Sequence, residues 1–151
     1  MKIEEALKSI HSMGITTKTV INIMYTSRII EEEIVSVLKP YDLNIPQYNV
    51  LRILRGQNGQ PANLSTLQER MVDRNSNTTR LVDKLIKKGW VNRSVCKSNR
   101  RKVEILITNK GLEILKELDP ITDQNNEKIL SNISKEELEA LNTTLDTLRT
   151  F

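Results

Sequence analysis

Apolar residues recur at three- and four-residue spacing along almost the whole chain, and the period changes only once, near its middle. In 3–10, Ile3, Ala6, Leu7 and Ile10 fall on one helical face, and a break follows around Gly14. Residues 17–38 predict a long helix with Val20, Ile21, Met24, Ile30, Ile34 and Leu38 turned inward. Pro40 is expected to end it, because proline disfavours helical backbone in the residue before it. Pro46 suits the first turn of the next helix, 47–55, which places Val50, Leu51 and Leu54 inside. Gly56, Asn58 and Gly59 mark a loop.

Asn63 is a good N-cap for a short helix, 64–71. A tight connection, 72–75, leads into a further helix, 76–88, which Gly89 stops. Alternation then replaces the helical period. Segments 90–95 and 102–107 predict two strands, the second with Val103, Ile105 and Ile107 on one face and Lys102 and Glu104 on the other. The polar stretch 97–100 between them makes the pair a hairpin. Thr108 caps another helix carrying Leu112, Leu115 and Leu118, which Pro120 should kink or break. Helical spacing resumes at Ile129 and Ile133, and Ser134 with Glu137 forms a capping box for a last helix with Leu138, Leu141, Leu145 and Leu148. The expected fold is mainly α with one small β-hairpin. Two helices joined by a tight turn and followed by a hairpin make a winged helix-turn-helix, in which the second helix of the pair enters the major groove of DNA.

The faces of 76–88 fit that role. At 100° per residue, Thr78, Leu81, Val82, Leu85 and Ile86 gather on one side, and Ser76, Asn77, Thr79, Arg80, Asp83, Lys84, Lys87 and Lys88 on the other. The polar side begins with short hydrogen-bonding groups and continues with cations one turn apart. Asn pairs with adenine and Arg with guanine in the major groove, and Ser and Thr serve bases or phosphates. Asp83 is expected to pair with Lys87 or Arg80 along the helix. The hairpin tip carries Lys97, Asn99, Arg100, Arg101 and Lys102, and clustered cations on a narrow turn suit the minor groove. Arg93, on the first strand, is a candidate backbone contact. The candidate DNA-binding set is therefore Ser76, Asn77, Thr79, Arg80, Lys84, Arg93, Lys97, Asn99, Arg100 and Arg101.

Charge sharpens this picture. The net charge of the 151 residues is only +4, but residues 76–110 hold ten Lys/Arg against two Asp/Glu, whereas 111–151 hold four against nine. One basic block followed by an acidic tail is the electrostatic footprint of a nucleic-acid-binding face. Composition excludes other classes. With one cysteine, Cys96, no disulfide forms within the chain and no cysteine-rich zinc site exists. With one histidine, His11, histidine-based metal or triad chemistry is absent, and no phosphate-cradling glycine loop occurs. Neither enzyme, metal nor cofactor is expected. No apolar run reaches the ~18 residues of a membrane span and the first residues lack the order of a secretory signal, so a cytoplasmic protein is expected.

The stretches Asn63-Leu64-Ser65-Thr66-Leu67, Ser76-Asn77-Thr78-Thr79-Arg80-Leu81-Val82-Asp83-Lys84-Leu85, Lys88-Gly89-Trp90-Val91-Asn92-Arg93, Asn99-Arg100-Arg101 and Ile107-Thr108-Asn109-Lys110-Gly111 together resemble the MarR family of bacterial regulators. The likeness runs over 15–151 in element order and is motif-specific over 63–111. It implies a homodimer, in which N- and C-terminal helices interlock as a dimerisation domain and two winged lobes bind a pseudo-palindromic operator. It also implies repression, often relieved by a small aromatic ligand or an oxidant. On this basis 1–38 and 109–151 supply the dimerisation helices, 39–108 is the DNA-binding lobe, and Ile21, Met24, Leu138, Leu141, Leu145 and Leu148 are interface candidates. Two positions depart from the family pattern. Its wing usually carries Asp-x-Arg where this chain has Asn99-Arg100-Arg101, so the carboxylate that braces the wing arginine is missing. The turn after Met71 has Val72-Asp73 in place of the common glycine, which points to a different angle for the recognition helix.

Weaker features each have a plain structural role beside the functional one. Tyr25, Tyr41 and Tyr48 are candidates for lining a ligand crevice, set against core or interface positions. Cys96, beside the wing, is set between a redox sensor and an ordinary strand residue, and His11 reads as a surface residue. The competing function is a winged-helix ligand receptor or protein-interaction module that does not bind specific DNA.

Overall fold

A computed structural model describes all residues 1–151, which divide into two compact units, Met1–Ile45 and Pro46–Phe151. The first unit is helical. Helix α1 spans Ile3–Ala6, shorter than the periodicity suggests, because Lys8 turns the chain with left-handed backbone (φ 51°) and leaves Leu7 and Ile10 exposed. Helix α2 runs Ile15–Leu38, and Lys18 on it holds Glu4 of α1 at 2.7 Å. The α-helix ends at Leu38, as expected ahead of Pro40. Lys39 keeps helical backbone (φ −54°, ψ −42°) and the chain makes one 3-10 turn, Lys39–Tyr41, before Asp42 reverses it in left-handed conformation. Leu38 is fully buried and its carbonyl accepts from the Leu43 N–H, so local packing and hydrogen bonding outweigh the proline's preference. Of the α2 residues expected inside, Leu38 alone is buried. Ile21, Ile30 and Ile34 are half-buried, and Val20 and Met24 are exposed.

The second unit carries α3 (Ile45–Gly56), α4 (Leu64–Arg70), α5 (Thr78–Lys87), strands β1 (Val91–Val95) and β2 (Val103–Ile107), α6 (Asn109–Ile129) and α7 (Lys135–Leu148). Fully buried side chains come from nearly every element: Leu51 and Leu54 of α3, Leu67 of α4, Val82 and Leu85 of α5, Val91, Ile105, and Leu115 and Leu118 of α6. The strands pair antiparallel with Val91 opposite Ile107 and Val95 opposite Val103. Ala62, just before α4, adds a third short rung through Ala62 N–H to Ile105 C=O (2.9 Å) and the reverse bond (2.7 Å). Periodicity carries no sign of this rung, because a one-residue bridge has no period. On β2, Ile105 is buried while Val103 and Ile107 are half-buried. Together these elements form a winged helix-turn-helix.

Helix α6 runs unbroken through Pro120, so the proline does not break it. A mid-helix proline costs ~3 kcal/mol. Burial of Leu115, Leu118 and Asn125 on either side offsets it, as do the contacts of α6 with α3. Arg55 of α3 grips Asp119 with two nitrogens at 2.8–3.0 Å, and Tyr48 donates to Thr122 at 3.4 Å. The hydrogen bonds to Asp119 raise the Arg55 pKa further above its usual value. Helix α7 opens on the expected capping box, with Ser134 and Glu137 bonded reciprocally, and has no buried residue.

The joint between hairpin and α6 rests on Thr108. Its hydroxyl donates to the Gly89 carbonyl (2.7 Å) and accepts from the Gly111 N–H (3.1 Å), while its own N–H donates to the Trp90 carbonyl (3.0 Å). Gly111 permits that approach: a Cβ there would lie 2.7 Å from Ile107 Cγ1 and closer still to the Trp90 carbonyl. Gly111→Ala is therefore expected to destabilise by about 1–3 kcal/mol through overpacking, although alanine is the better helix former. Urea unfolding checks this, and an unchanged midpoint would show that the joint can relax.

Candidate nucleic-acid interface

Helix α5 presents one face inward and one outward. Thr78, Leu81, Val82 and Leu85 are buried, while Thr79, Arg80 and Lys84 are exposed. Burying three such aliphatic side chains stabilises the packed face by roughly 1.5–3 kcal/mol each, as an upper estimate. The rotation of the helix about its axis is therefore well determined, and with it the outward direction of Arg80 and Lys84, one turn apart.

The helix starts two residues later than its amphipathic pattern suggests. Asn77 is the N-cap, with extended backbone and a side-chain oxygen that accepts from the Arg80 N–H at 3.1 Å. Ser76 lies before the cap, half-buried, with its hydroxyl oxygen enclosed and without a hydrogen-bond partner. Ser76 and Asn77 thus belong to the turn and the cap, and Thr79 and Arg80 are the first fully outward groups of α5. Capping preferences override face periodicity here, because the first N–H groups of a helix need acceptors that only side chains supply.

Side-chain hydrogen bonds organise the turn between α4 and α5. Asn49 of α3 accepts from the Val72 N–H (2.9 Å), and Asp73 accepts from the Asn75 N–H (2.9 Å). Gln68 of α4 donates to the Arg74 carbonyl (2.8 Å) and accepts from the Thr78 hydroxyl (3.3 Å). Sequence reading missed Asn49 and Gln68, since bonds to the backbone of another element leave no periodic trace. Asp73 followed two residues later by Asn75 is a legible Asx-turn signal.

Asp83 does not pair along its own helix. Its carboxylate receives Arg93 of β1 at 2.8 Å, which corrects the expected Lys87 or Arg80 partner. The antiparallel hairpin returns Arg93 beside α5, a placement that spacing along one helix does not reveal. The pair joins the first strand of the wing to the outward side of α5. At the wing tip Lys97, Asn99, Arg100 and Arg101 are all exposed. Asn99 accepts from the Arg101 N–H (3.1 Å), and its own N–H and carbonyl bond Cys96 and Lys102. A neutral amide thus shapes the turn, and no acidic residue stands within 96–103. Cys96 is half-buried with its sulfur 3.1 Å from the Ser98 hydroxyl.

The remaining candidates are divided between the two units. Tyr25 and Tyr41 are half-buried in the first unit, whereas Tyr48, in the second, is buried beneath the Arg52 guanidinium at 5.8 Å. Met24, Leu141 and Leu148 are exposed, and Ile21, Leu138 and Leu145 half-buried. No helix is long and apolar enough to cross a membrane, and no group of His, Cys, Asp or Glu is placed to hold a metal ion.

The chain is similar to known regulators of transcription. The model of the MarR family matches residues 43–103. The regulator PecS of Dickeya dadantii (strain 3937), named an HTH-type transcriptional regulator, is 29% identical over 113 residues, which cover 74% of this chain and 68% of PecS. A MarR transcription factor from Planctomyces limnophilus superposes with a TM-score of 0.71 at 26% identity, covering 91% of this chain and 99% of that one. BpsR of Bordetella bronchiseptica, described with regulation of its DNA binding by 6-hydroxynicotinic acid, superposes with a TM-score of 0.81 at 16% identity, covering 93% and 99%.

The Asp83–Arg93 pair is more than one-third exposed on both sides, so its coupling is expected to be modest, roughly 0.2–1 kcal/mol. A double-mutant cycle of Asp83→Asn and Arg93→Gln in urea measures it. Strictly additive losses would mean that the pair contributes no net stability.

Proposed function

We propose that the chain is a MarR-family regulator, a homodimeric, cytoplasmic repressor that reads a pseudo-palindromic operator with α5 in the major groove and the hairpin wing in the minor groove. As a MarR-family protein it is a DNA-binding transcriptional regulator rather than an enzyme. The observation that carries the finer reading is the common exposure of Thr79, Arg80 and Lys84 on α5 with Lys97, Arg100 and Arg101 on the wing, joined through Asp83 and Arg93. Thr79 and Arg80 discriminate bases. Lys84, Arg93 and the wing cations, with Asn99 shaping the tip, hold the backbone and set register. Ser76 and Asn77 support the N-terminal end of α5, whose free N–H groups favour a phosphate.

The dimer is supported by apolar side chains that the monomer leaves uncovered. Met24 is 66% exposed and α7 exposes Leu141 and Leu148. We assign 1–38 and 109–151 to the dimerisation helices, with Ile21, Met24, Leu138, Leu141, Leu145 and Leu148 in the interface, and 39–108 to the DNA-binding lobe. A small aromatic ligand is the proposed effector, with Tyr25, Tyr41 and Tyr48 as its candidate contacts. BpsR, whose DNA binding is regulated by a hydroxylated nicotinic acid, motivates that choice.

Equilibrium binding to a duplex enriched by the protein from a random-sequence pool, against a scrambled duplex, tests the function. Arg80→Ala should lose ~1–3 kcal/mol on the enriched duplex and relax its preference. Equal loss on both duplexes would reduce Arg80 to a phosphate contact. Arg100→Ala combined with Arg101→Ala should weaken both complexes and lower the salt slope by about one per lost phosphate contact. An unchanged slope would remove the wing from the interface. Replacing Leu141 and Leu145 with glutamine should shift sedimentation from dimer to monomer, and a dimer that persists would refute the α7 interface.

A further inference from the structure

The turn before the recognition helix lacks a glycine, and polar side chains hold its backbone in place. Among them Gln68 has a distinct geometry. It bonds two groups at once: its amide nitrogen donates to the Arg74 carbonyl at 2.8 Å, and its amide oxygen accepts from the Thr78 hydroxyl at 3.3 Å. Arg74 lies in the middle of the turn, and Thr78 is the first residue of α5. Thr78 is only 7% exposed, so its hydroxyl is held inside rather than shared with solvent. One side chain on α4 therefore grips the chain on both sides of the Asn77 cap.

The chemistry of that position is selective. The Arg74 carbonyl requires a donor, and the Thr78 hydroxyl, donating, requires an acceptor. A neutral amide supplies both. A carboxylate at 68 can accept from Thr78 but has no proton for Arg74, and a thioether of similar length offers no donor and only a weak acceptor.

Apolar burial and the Gln68 clasp constrain different coordinates. Burial of Leu81, Val82 and Leu85 sets how α5 is rotated, but it is non-directional and forms no specific bond at the start of the helix. Hydrogen bonds at 2.8 and 3.3 Å to the turn and first residue hold the end of the helix that carries Thr79 and Arg80. Binding constellations need their groups held to about half an ångström, and bonds of this kind hold them there. We propose that Gln68 is a positioning residue for DNA recognition: by clasping the Arg74 carbonyl and the Thr78 hydroxyl, it sets where Thr79 and Arg80 meet the base edges. This rests on the DNA-binding function proposed above, and it adds a residue that itself touches no DNA.

The experiment compares full-length wild type with Gln68→Met, Gln68→Glu, Thr78→Val and the double variant Gln68→Met with Thr78→Val. Each is titrated with the duplex enriched by the wild-type protein from a random pool and with a scrambled duplex. Gln68→Met should lower the enriched-to-scrambled affinity ratio by about tenfold, the scale of one displaced base contact, with scrambled binding unchanged. Gln68→Glu should behave like Gln68→Met, because it cannot hold Arg74. The double variant should lose much less than the sum of its singles, because the two residues share one bond. Thr78→Val, which removes only the shared hydroxyl, is the second route if the methionine variant folds poorly and should lower the ratio in the same direction, whereas Thr78→Ser, which keeps the hydroxyl, should retain the wild-type ratio. An unchanged ratio in Gln68→Met, or a wild-type ratio in Gln68→Glu, overturns the proposal. Equal loss on both duplexes overturns it too, by showing a purely structural role. If the wild type enriches no sequence at all, the DNA-reading function fails first and this inference falls with it.

Discussion

Helix α5 has to satisfy two opposed demands with ten residues. Thr78, Leu81, Val82 and Leu85 must leave water, while Thr79, Arg80 and Lys84, interleaved among them, must stay in it. Hydrophobic burial dominates and fixes the rotation, since each buried aliphatic side chain is worth more than a typical net hydrogen bond of ~1 kcal/mol. Much of the second unit serves this one helix. Asn77 caps its start, Gly89 ends it in left-handed backbone (φ 76°), and Thr108 bonds the Gly89 carbonyl to the start of α6.

The wing depends on the same helix. Arg93 leaves the first strand to meet Asp83, so one exposed ion pair ties the hairpin to the outward face of α5. Beyond it the tip is shaped by a neutral amide. Asn99 accepts from the Arg101 N–H much as an aspartate would, but adds no negative charge beside Arg100 and Arg101. The tip therefore keeps its turn geometry and its full positive potential together. That arrangement suits attraction to phosphate, which depends on charge more than on fixed side-chain orientation.

Helices α2 and α7 pose the converse problem. Twenty-four residues of α2 bury one leucine fully, and α7 buries none, yet both carry apolar side chains at helical spacing. An amphipathic helix gains most of its stability from covering its apolar face. Exposed Met24, Leu141 and Leu148 are apolar positions that the dimer proposed above would cover. On that proposal the acidic residues of 111–151 lie on the dimer helices and the basic block 76–110 on the DNA-binding lobe.

Much of this protein was legible in order. The Asn63 cap, the Gly89 stop, the Thr108 cap and the Ser134–Glu137 box are local signals, each carried by side chains that bond backbone within a few residues, so spacing reveals them. The change of period at Trp90 revealed the hairpin for the same reason, and the basic block 76–110 revealed the face. What spacing could not reveal was set by partners distant in sequence. Pro120 stays inside a helix because packing of Leu115 and Leu118 outweighs a local preference. Asp83 chose Arg93 over Lys87 because the hairpin folds back beside α5, and Gln68 reached Arg74 and Thr78 across a turn. The sequence by itself determined which elements form, where they are capped and which face is basic, since those follow from interactions within one turn of helix or one rung of hairpin. Only the tertiary structure decided which charge meets which and where α5 sits along its axis, because those depend on chain segments brought together by folding.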